Sequence, residues 1–153
     1  MTAALTGARP PSIADLIPHR PPMAFVTSLA RADEKGAVIR SVIEAGSPAA
    51  QPDGTVEPLA LLEIIAQACA AYGGWRMMAP GRPKRAAFLA GVRSFEILAP
   101  ARVGSPMEVA VTLTRQFGEF HLFDGVLRQE GRELARADIK AFHPPEETGD
   151  AQL

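Results

Sequence analysis

The fold is decided by Glu57-Pro-Leu-Ala-Leu-Leu-Glu-Ile-Ile-Ala-Gln-Ala-Cys-Ala-Ala-Tyr-Gly-Gly-Trp-Arg-Met-Met78. This stretch predicts a long helix, because Pro58 suits a first helical turn and apolar residues then recur on more than one face. Glu63 is its internal carboxylate. The stretch is too short and too glycine-rich near its end to predict a membrane span. A helix that is apolar on most sides needs burial, and we expect a curved sheet around it.

Composition limits the possible functions. The chain has 153 residues and 47% hydrophobic residues, which fits one folded domain. A formal net charge of −1 argues against a nucleic-acid surface. Cys69 is the single cysteine, so a disulfide or cysteine-based zinc site within one chain is excluded. Because residues 1–11 lack a signal-peptide pattern, we expect a cytoplasmic protein.

The segments around the helix have the patterns of strands and turns. A short helix is predicted at Ile13–Ile17, and residues 144–153 read as a disordered acidic tail. Residues 12–143 therefore form one domain after a flexible arm at residues 1–11. Alternation and turn residues predict six strands, the last four joined as a meander: Met23–Ala32, Ala37–Glu44, Ala86–Leu98, Met107–Thr114, Phe120–Gln129 and Glu133–Phe142. This order predicts an α+β hotdog fold, an antiparallel sheet curled round one long central helix.

Four motifs in order resemble those of a known family. They are Ile13-Ala-Asp-Leu-Ile-Pro-His-Arg-Pro-Pro-Met23, Leu61-Leu-Glu-Ile-Ile-Ala-Gln-Ala68, Phe88-Leu-Ala-Gly-Val92, and Gly104 before an alternating strand. The chain resembles the hotdog 3-hydroxyacyl-acyl-carrier-protein dehydratases. The resemblance is greatest to the dehydratase-like subgroup of aryl-polyene lipid gene clusters, in which Pro-His-Arg-Pro-Pro-Met is typical.

The resemblance implies an activity and an assembly. Such enzymes remove water from a 3-hydroxyacyl thioester: a histidine handles the C2 proton and an acidic helix side chain assists departure of the hydroxyl. Two hotdog subunits, alike or different, join edge to edge with the sites at their boundary. No cofactor is implied beyond the phosphopantetheine of the acyl carrier protein. The spacing of His, Asp and Glu in this sequence predicts no metal site.

Glu63 matches the helix carboxylate of the family, and Gln67 matches the glutamine one turn later. An unpaired carboxylate among Leu62, Ile64 and Ile65 would cost several kcal/mol of desolvation. Glu63 must therefore be paired, protonated or facing a cavity, and the alternative to a catalytic acid is a structural ion pair. Gln67 is expected to orient a group near Glu63.

One departure from the family concerns the base. The family carries its histidine in a Gly-His-Phe-Pro-Gly loop before the helix, and here Ala49 takes that place. The base must then be His19, His121, His143 or a residue of a partner subunit. We favour His19, in a proline-flanked corner, although His19 and Arg20 could instead cap the neighbouring helix. His121 is expected at a surface or rim, and His143 is expected to be exposed.

Several residues are predicted to contact the substrate. Pro58 and Leu59 begin the helix, whose first amides would polarise the thioester carbonyl. The resemblance adds Phe88 and Gly91, the latter as a backbone contact for the pantetheine amide. A basic cluster could receive a carrier protein, or it could be a solvated loop: Arg82, Lys84 and Arg85.

These observations predict a 3-hydroxyacyl-carrier-protein dehydratase with Glu63 as acid and His19 as base. Two alternatives stay open at this point. One is a non-catalytic hotdog subunit that completes an active partner, which the missing loop histidine favours. The other is a hotdog thioesterase, in which the helix carboxylate would activate water.

Overall fold

The computed structural model describes residues 11–78 and 88–144. The predicted flexible arm, the basic cluster and the predicted acidic tail fall outside these ranges, apart from Pro11 and Pro144. Within these ranges, two helices and six strands follow one another: α1 (Ile13–Leu16), β1 (Val26–Ala32), β2 (Gly36–Ser41), α2 (Pro58–Arg76), β3 (Phe88–Ile97), β4 (Met107–Phe117), β5 (Phe120–Gln129) and β6 (Arg132–Phe142).

The six strands form one antiparallel sheet, and α2 packs against every strand of it. Apolar residues on more than one face of α2 reach zero or near-zero exposure, among them Ile64 and Ile65. A Cβ atom on Gly125 of β5 would lie 2.5 Å from Cγ2 of Ile65, so the absent side chain lets the sheet approach the helix. The hotdog arrangement predicted from the sequence is confirmed.

The strand order is β1-β2-β4-β5-β6-β3. The predicted four-strand meander is therefore wrong: β4, β5 and β6 form a meander, but β3 lies beyond β6 at the far edge. Helix α2 connects β2 to β3 and crosses one face of the sheet. Strand β3 therefore joins the sheet at the edge opposite β1. Residues 98–106 then return the chain to β4, beside β2.

The short helix α1 packs closely on the C-terminal part of α2. Asp15 accepts hydrogen bonds from the backbone N–H and the hydroxyl of Ser12, which fixes the start of α1. A Cβ atom on Gly74 of α2 would collide with the backbone carbonyl of Leu16. The glycine thus lets two helix backbones meet and sets where the chain leaves α1 toward His19.

No helix of the described ranges has the length and apolar character that a membrane crossing requires.

Candidate active site

The side chains of His19 and Glu63 meet at the surface of the domain. His19 Nε2 lies 3.5 Å from Glu63 Oε1, and the two side chains are 34% and 40% exposed. Glu63 is thus less buried than the sequence suggests, because its helix face points toward the turn that carries His19 rather than into the sheet. The carboxyl group is reachable by a ligand and is paired with an imidazole, which is not a permanent cation.

Gln67 holds this carboxyl group in place. Its side-chain amide nitrogen donates to Glu63 Oε1 at 2.9 Å and to the Met23 carbonyl at 2.8 Å. Its amide oxygen accepts the Phe25 N–H at 2.7 Å. Since Gln67 is only 1% exposed, its amide orients Glu63 and ties helix α2 to the segment before β1. Contact between Gln67 and a substrate stays a prediction.

The segment that carries His19 is anchored at both ends. Arg20 donates to carbonyl groups at the end of α1, as a helix-capping residue would. His19 does not share that role, since its Nε2 faces Glu63. Further along, the Ser41 hydroxyl donates to the Phe25 carbonyl at 2.6 Å. These links to Met23, Phe25 and Ser41 span many residues of sequence, and no motif indicated them.

The first turn of α2 is partly occupied by its own cap. The Glu57 carboxylate accepts the Ala60 N–H at 3.0 Å, and Pro58 has no N–H. Leu59, whose exposed fraction is 67%, comes next, and an amide in the first turn of a helix has no partner within the helix. Of the first residues of α2, Leu59 is therefore the one whose amide is expected to bind the thioester carbonyl.

Strand β3 presents Phe88 and Gly91 at the edge of the sheet. Phe88 is 55% exposed, and a Cβ atom on Gly91 would meet nothing within 4 Å. The pairing of β3 with β6 shifts register between Leu89 and Gly91, so the backbone bends there. Among the described residues, hydrogen bonds and close contacts of side chains join His19, Glu63 and Gln67, whereas Phe88 and Gly91 lie on strand β3 and take no part in these contacts.

His121 and His143 are buried, at 7% and 5% exposure, and both expectations for them were wrong. The two rings pack against each other, and the ring of His121 also packs on Phe123. His121 follows Phe120 and precedes Leu122, and with apolar residues on both sides the sequence could not tell which face of β5 it would take. His143 lies next to Gly73 of α2, which leaves room for an imidazole. Neither residue is among the contacts of Glu63.

Within residues 11–78 and 88–144, no cluster of three or more His, Cys, Asp and Glu side chains has the arrangement of a metal site. Burial raises the pKa of the Cys69 thiol far above its ordinary value, with a smaller contribution from the Asp124 carboxylate. Cys69 is therefore an unreactive core thiol.

Comparisons with known proteins show the family of this chain. The ApeP-like family model, described as ApeP dehydratase, matches residues 11–152. The chain belongs to the ApeP-like dehydratase family. It is also similar to a 3-hydroxyacyl-[acyl-carrier-protein] dehydratase FabZ from Anaeromyxobacter dehalogenans, with 26% identity over 137 residues, covering 85% of this chain and 86% of the relative.

Solved structures share the fold of this ApeP-like chain. The Dehydratase Heterocomplex ApeI:P from Xenorhabdus doucetiae matches with a TM-score of 0.80 at 20% identity, covering 90% of this chain and 94% of that one. The PaaI protein from the E. coli phenylacetic acid degradation operon matches at 0.63 and 14%, covering 77% and 79%. A hypothetical thioesterase with coenzyme A from Streptococcus pneumoniae matches at 0.61 and 12%, covering 78% and 89%.

Proposed function

We propose that this ApeP-like dehydratase removes water from a 3-hydroxyacyl thioester carried on an acyl carrier protein in the cytoplasm, using His19 and Glu63. The observation that supports the proposal is the 3.5 Å contact between the imidazole and the carboxyl group on one accessible surface. Dehydration needs a base for the C2 proton and an acid for the leaving hydroxyl, and these two side chains supply both.

The proposed reaction is an elimination of water across C2 and C3 of the acyl chain. The His19 imidazole takes the C2 proton through Nε2 while the Glu63 carboxyl group gives a proton to the C3 hydroxyl group, which leaves as water. A double bond forms between C2 and C3, and the enzyme is left with an imidazolium and a carboxylate. Return of the proton from His19 to Glu63, whose side chains are in contact, would restore the starting state.

Charge that develops on the thioester oxygen during proton removal needs a donor. The Leu59 amide, in the first turn of α2 at the positive end of the helix dipole, would supply it. The Gly91 backbone, free of side-chain crowding, would hydrogen-bond the pantetheine amide. No cofactor takes part beyond the phosphopantetheine that carries the substrate.

A second hotdog subunit would cover strand β3. This edge strand exposes four large apolar side chains at 40% or more: Phe88, Leu89, Val92 and Ile97. An unpaired edge with such residues favours pairing with another sheet edge. A homodimer or a heterodimer satisfies this surface, and a carrier protein would approach the resulting boundary.

The test is an assay that separates dehydration from hydrolysis. Wild-type protein is given a 3-hydroxyacyl thioester on a carrier protein, and the absorbance of the 2-enoyl thioester is compared with release of free thiol. We expect enoyl product, lost by a factor of about 100 or more in Glu63→Gln and His19→Ala, since acid–base groups contribute on this scale. Glu108→Gln, which removes a surface carboxylate paired loosely with Arg40, serves as the control.

Three results of this assay would contradict the proposal. Release of thiol without enoyl product would replace the proposal with a thioesterase. Full enoyl production by Glu63→Gln would remove Glu63 from the mechanism. Enoyl product only after addition of a second, different hotdog subunit, with His19→Ala still fully active, would make this chain a supporting subunit.

A further inference from the structure

Arg20, the residue after His19, is tied to the backbone on both sides of the catalytic turn. Its Nη1 donates to the carbonyl of Ile17 at 2.8 Å and to that of His19 at 2.8 Å, and its Nη2 donates to the carbonyl of Ala14 at 3.2 Å. One guanidinium thus contacts three carbonyl oxygens: that of Ala14 in α1, that of Ile17 just after α1, and that of His19 in the turn.

The main chain of the same residue holds the segment that follows. The carbonyl oxygen of Arg20 accepts the N–H of Met23 at 2.9 Å and that of Ala24 at 3.1 Å. The side chain of Gln67 holds the residues that follow, because it donates to the Met23 carbonyl and accepts the Phe25 N–H. The backbone that carries His19 is therefore fixed to α1 by Arg20 and to α2 by Gln67.

We infer that Arg20 is a positioning residue that holds the His19 imidazole against Glu63; this rests on the proposed role of His19. The guanidinium reaches the carbonyl oxygen of His19 itself, so its loss frees the peptide next to the catalytic side chain. A planar fork of several N–H groups can join these oxygens at once, whereas a lysine ammonium on a flexible stem cannot keep the same geometry. Arg20 acts through His19 and needs no contact with the substrate.

The first arm of the test does not depend on turnover. The nitrogen chemical shifts of the His19 ring are recorded in wild type and in Glu63→Gln, which measures how strongly the two side chains interact. The same comparison is made in Arg20→Ala and Arg20→Lys. We expect Glu63→Gln to shift the His19 signals clearly in the wild-type background and by less than half as much in both Arg20 variants.

The second arm measures catalysis. We expect kcat to fall by about 10- to 100-fold in Arg20→Ala and Arg20→Lys with KM within about twofold of wild type, because misplacement of a reacting group acts on the chemical step. Guanidinium ion at a concentration below that needed for unfolding should restore part of kcat in Arg20→Ala and none in Arg20→Lys. Arg40→Ala, which removes an exposed arginine from β2, is the control with unchanged kcat.

The ring nitrogen shifts of His19 test the role of Arg20 even if the protein has no dehydratase activity. Wild-type kcat and wild-type His19 shift responses in both Arg20 variants would overturn the inference while leaving dehydration intact. A wild-type protein without dehydratase activity would overturn the proposed function, and the shift responses would still decide whether Arg20 positions His19. Should Arg20→Ala fail to fold, Arg20→Gln, which retains two N–H donors, takes its place in both arms.

Discussion

The imidazole ring of His121 lies against that of His143, with ring centroids 4.3 Å apart, between strand β5 and the chain just after β6. Both residues are buried under the C-terminal part of α2, where Gly73 makes room for His143. Burial of the His121 imidazole disfavours its charged form, because a buried charge loses its hydration. His121 therefore makes stability depend on pH.

The pKa of His121 is lowered from its ordinary value of 6.5, first by burial and then by the positive charge of Arg76. Below pH 6.5 the unfolded chain binds a proton that the folded chain does not yet bind, so stability is full above this pH and falls as the pH drops. His121→Phe should reduce this fall. The measurement is the free energy of unfolding in urea at about pH 7.5 and about pH 5.5. An equal loss in both proteins would contradict the prediction.

Gln67→Met should destabilise the protein and slow catalysis together. Methionine fills a similar volume but leaves the Met23 carbonyl and the Phe25 N–H without their partner. Because each of these two unsatisfied buried polar groups costs about 1–3 kcal/mol, we expect a loss of about 2–6 kcal/mol in the free energy of unfolding. Urea denaturation checks it, with Gln116→Met on the exposed part of β4 as the control. A loss no larger than that of the control would be inconsistent with the anchoring role.

Gly74→Ala should displace α1 from α2. The new methyl group would meet the Leu16 carbonyl, which is backbone and cannot rotate away. We expect the free energy of unfolding to drop by about 1–3 kcal/mol, and kcat to drop as well, since His19 follows α1 by three residues. Gly46→Ala is the matched control, because a Cβ atom there meets nothing within 4 Å. Thermal melts and dehydration assays of the two variants would be compared, and equal behaviour would count against the prediction.

Leu89→Asp should weaken association between subunits. Leu89 is 54% exposed on the edge strand β3, and a carboxylate there would need desolvation when two edges pair. We expect a shift toward monomer in sedimentation velocity, with the circular dichroism spectrum unchanged. Thr27→Asp, on the exposed face of the other edge strand β1, provides the comparison. An unchanged sedimentation coefficient for Leu89→Asp would place the subunit contact elsewhere.

Local patterns in the sequence predicted most elements but not their arrangement. Pro58 and the apolar residues after it indicated α2, and the alternation from Met107 indicated β4. The position of β3 beside β6 depends on how α2 crosses the sheet, and no local pattern encodes that crossing. The helix pattern indicated Glu63 as an internal carboxylate, but its catalytic role and the Pro-His-Arg motif came from the resemblance, because a lone carboxylate or histidine has no distinctive spacing.

The parts of the site that the sequence missed are contacts between distant segments. Gln67 reaches Met23 and Phe25 across more than forty positions, as the separations of 44 and 42 show. The burial of His121 and His143 likewise depends on which face of the sheet each residue takes and on the space at Gly73. Such contacts follow from packing of the whole chain, so residue type and neighbours could not reveal them.

The proposed base and acid, His19 and Glu63, contact each other within one polypeptide, and this predicts how inactive variants behave when they are mixed. Two inactive proteins, one lacking the imidazole and the other lacking the carboxyl group, could not complement each other when mixed, because no exchange of subunits would reunite the pair. In mixtures of intact and doubly inactive chains, activity would decline in direct proportion to the intact fraction.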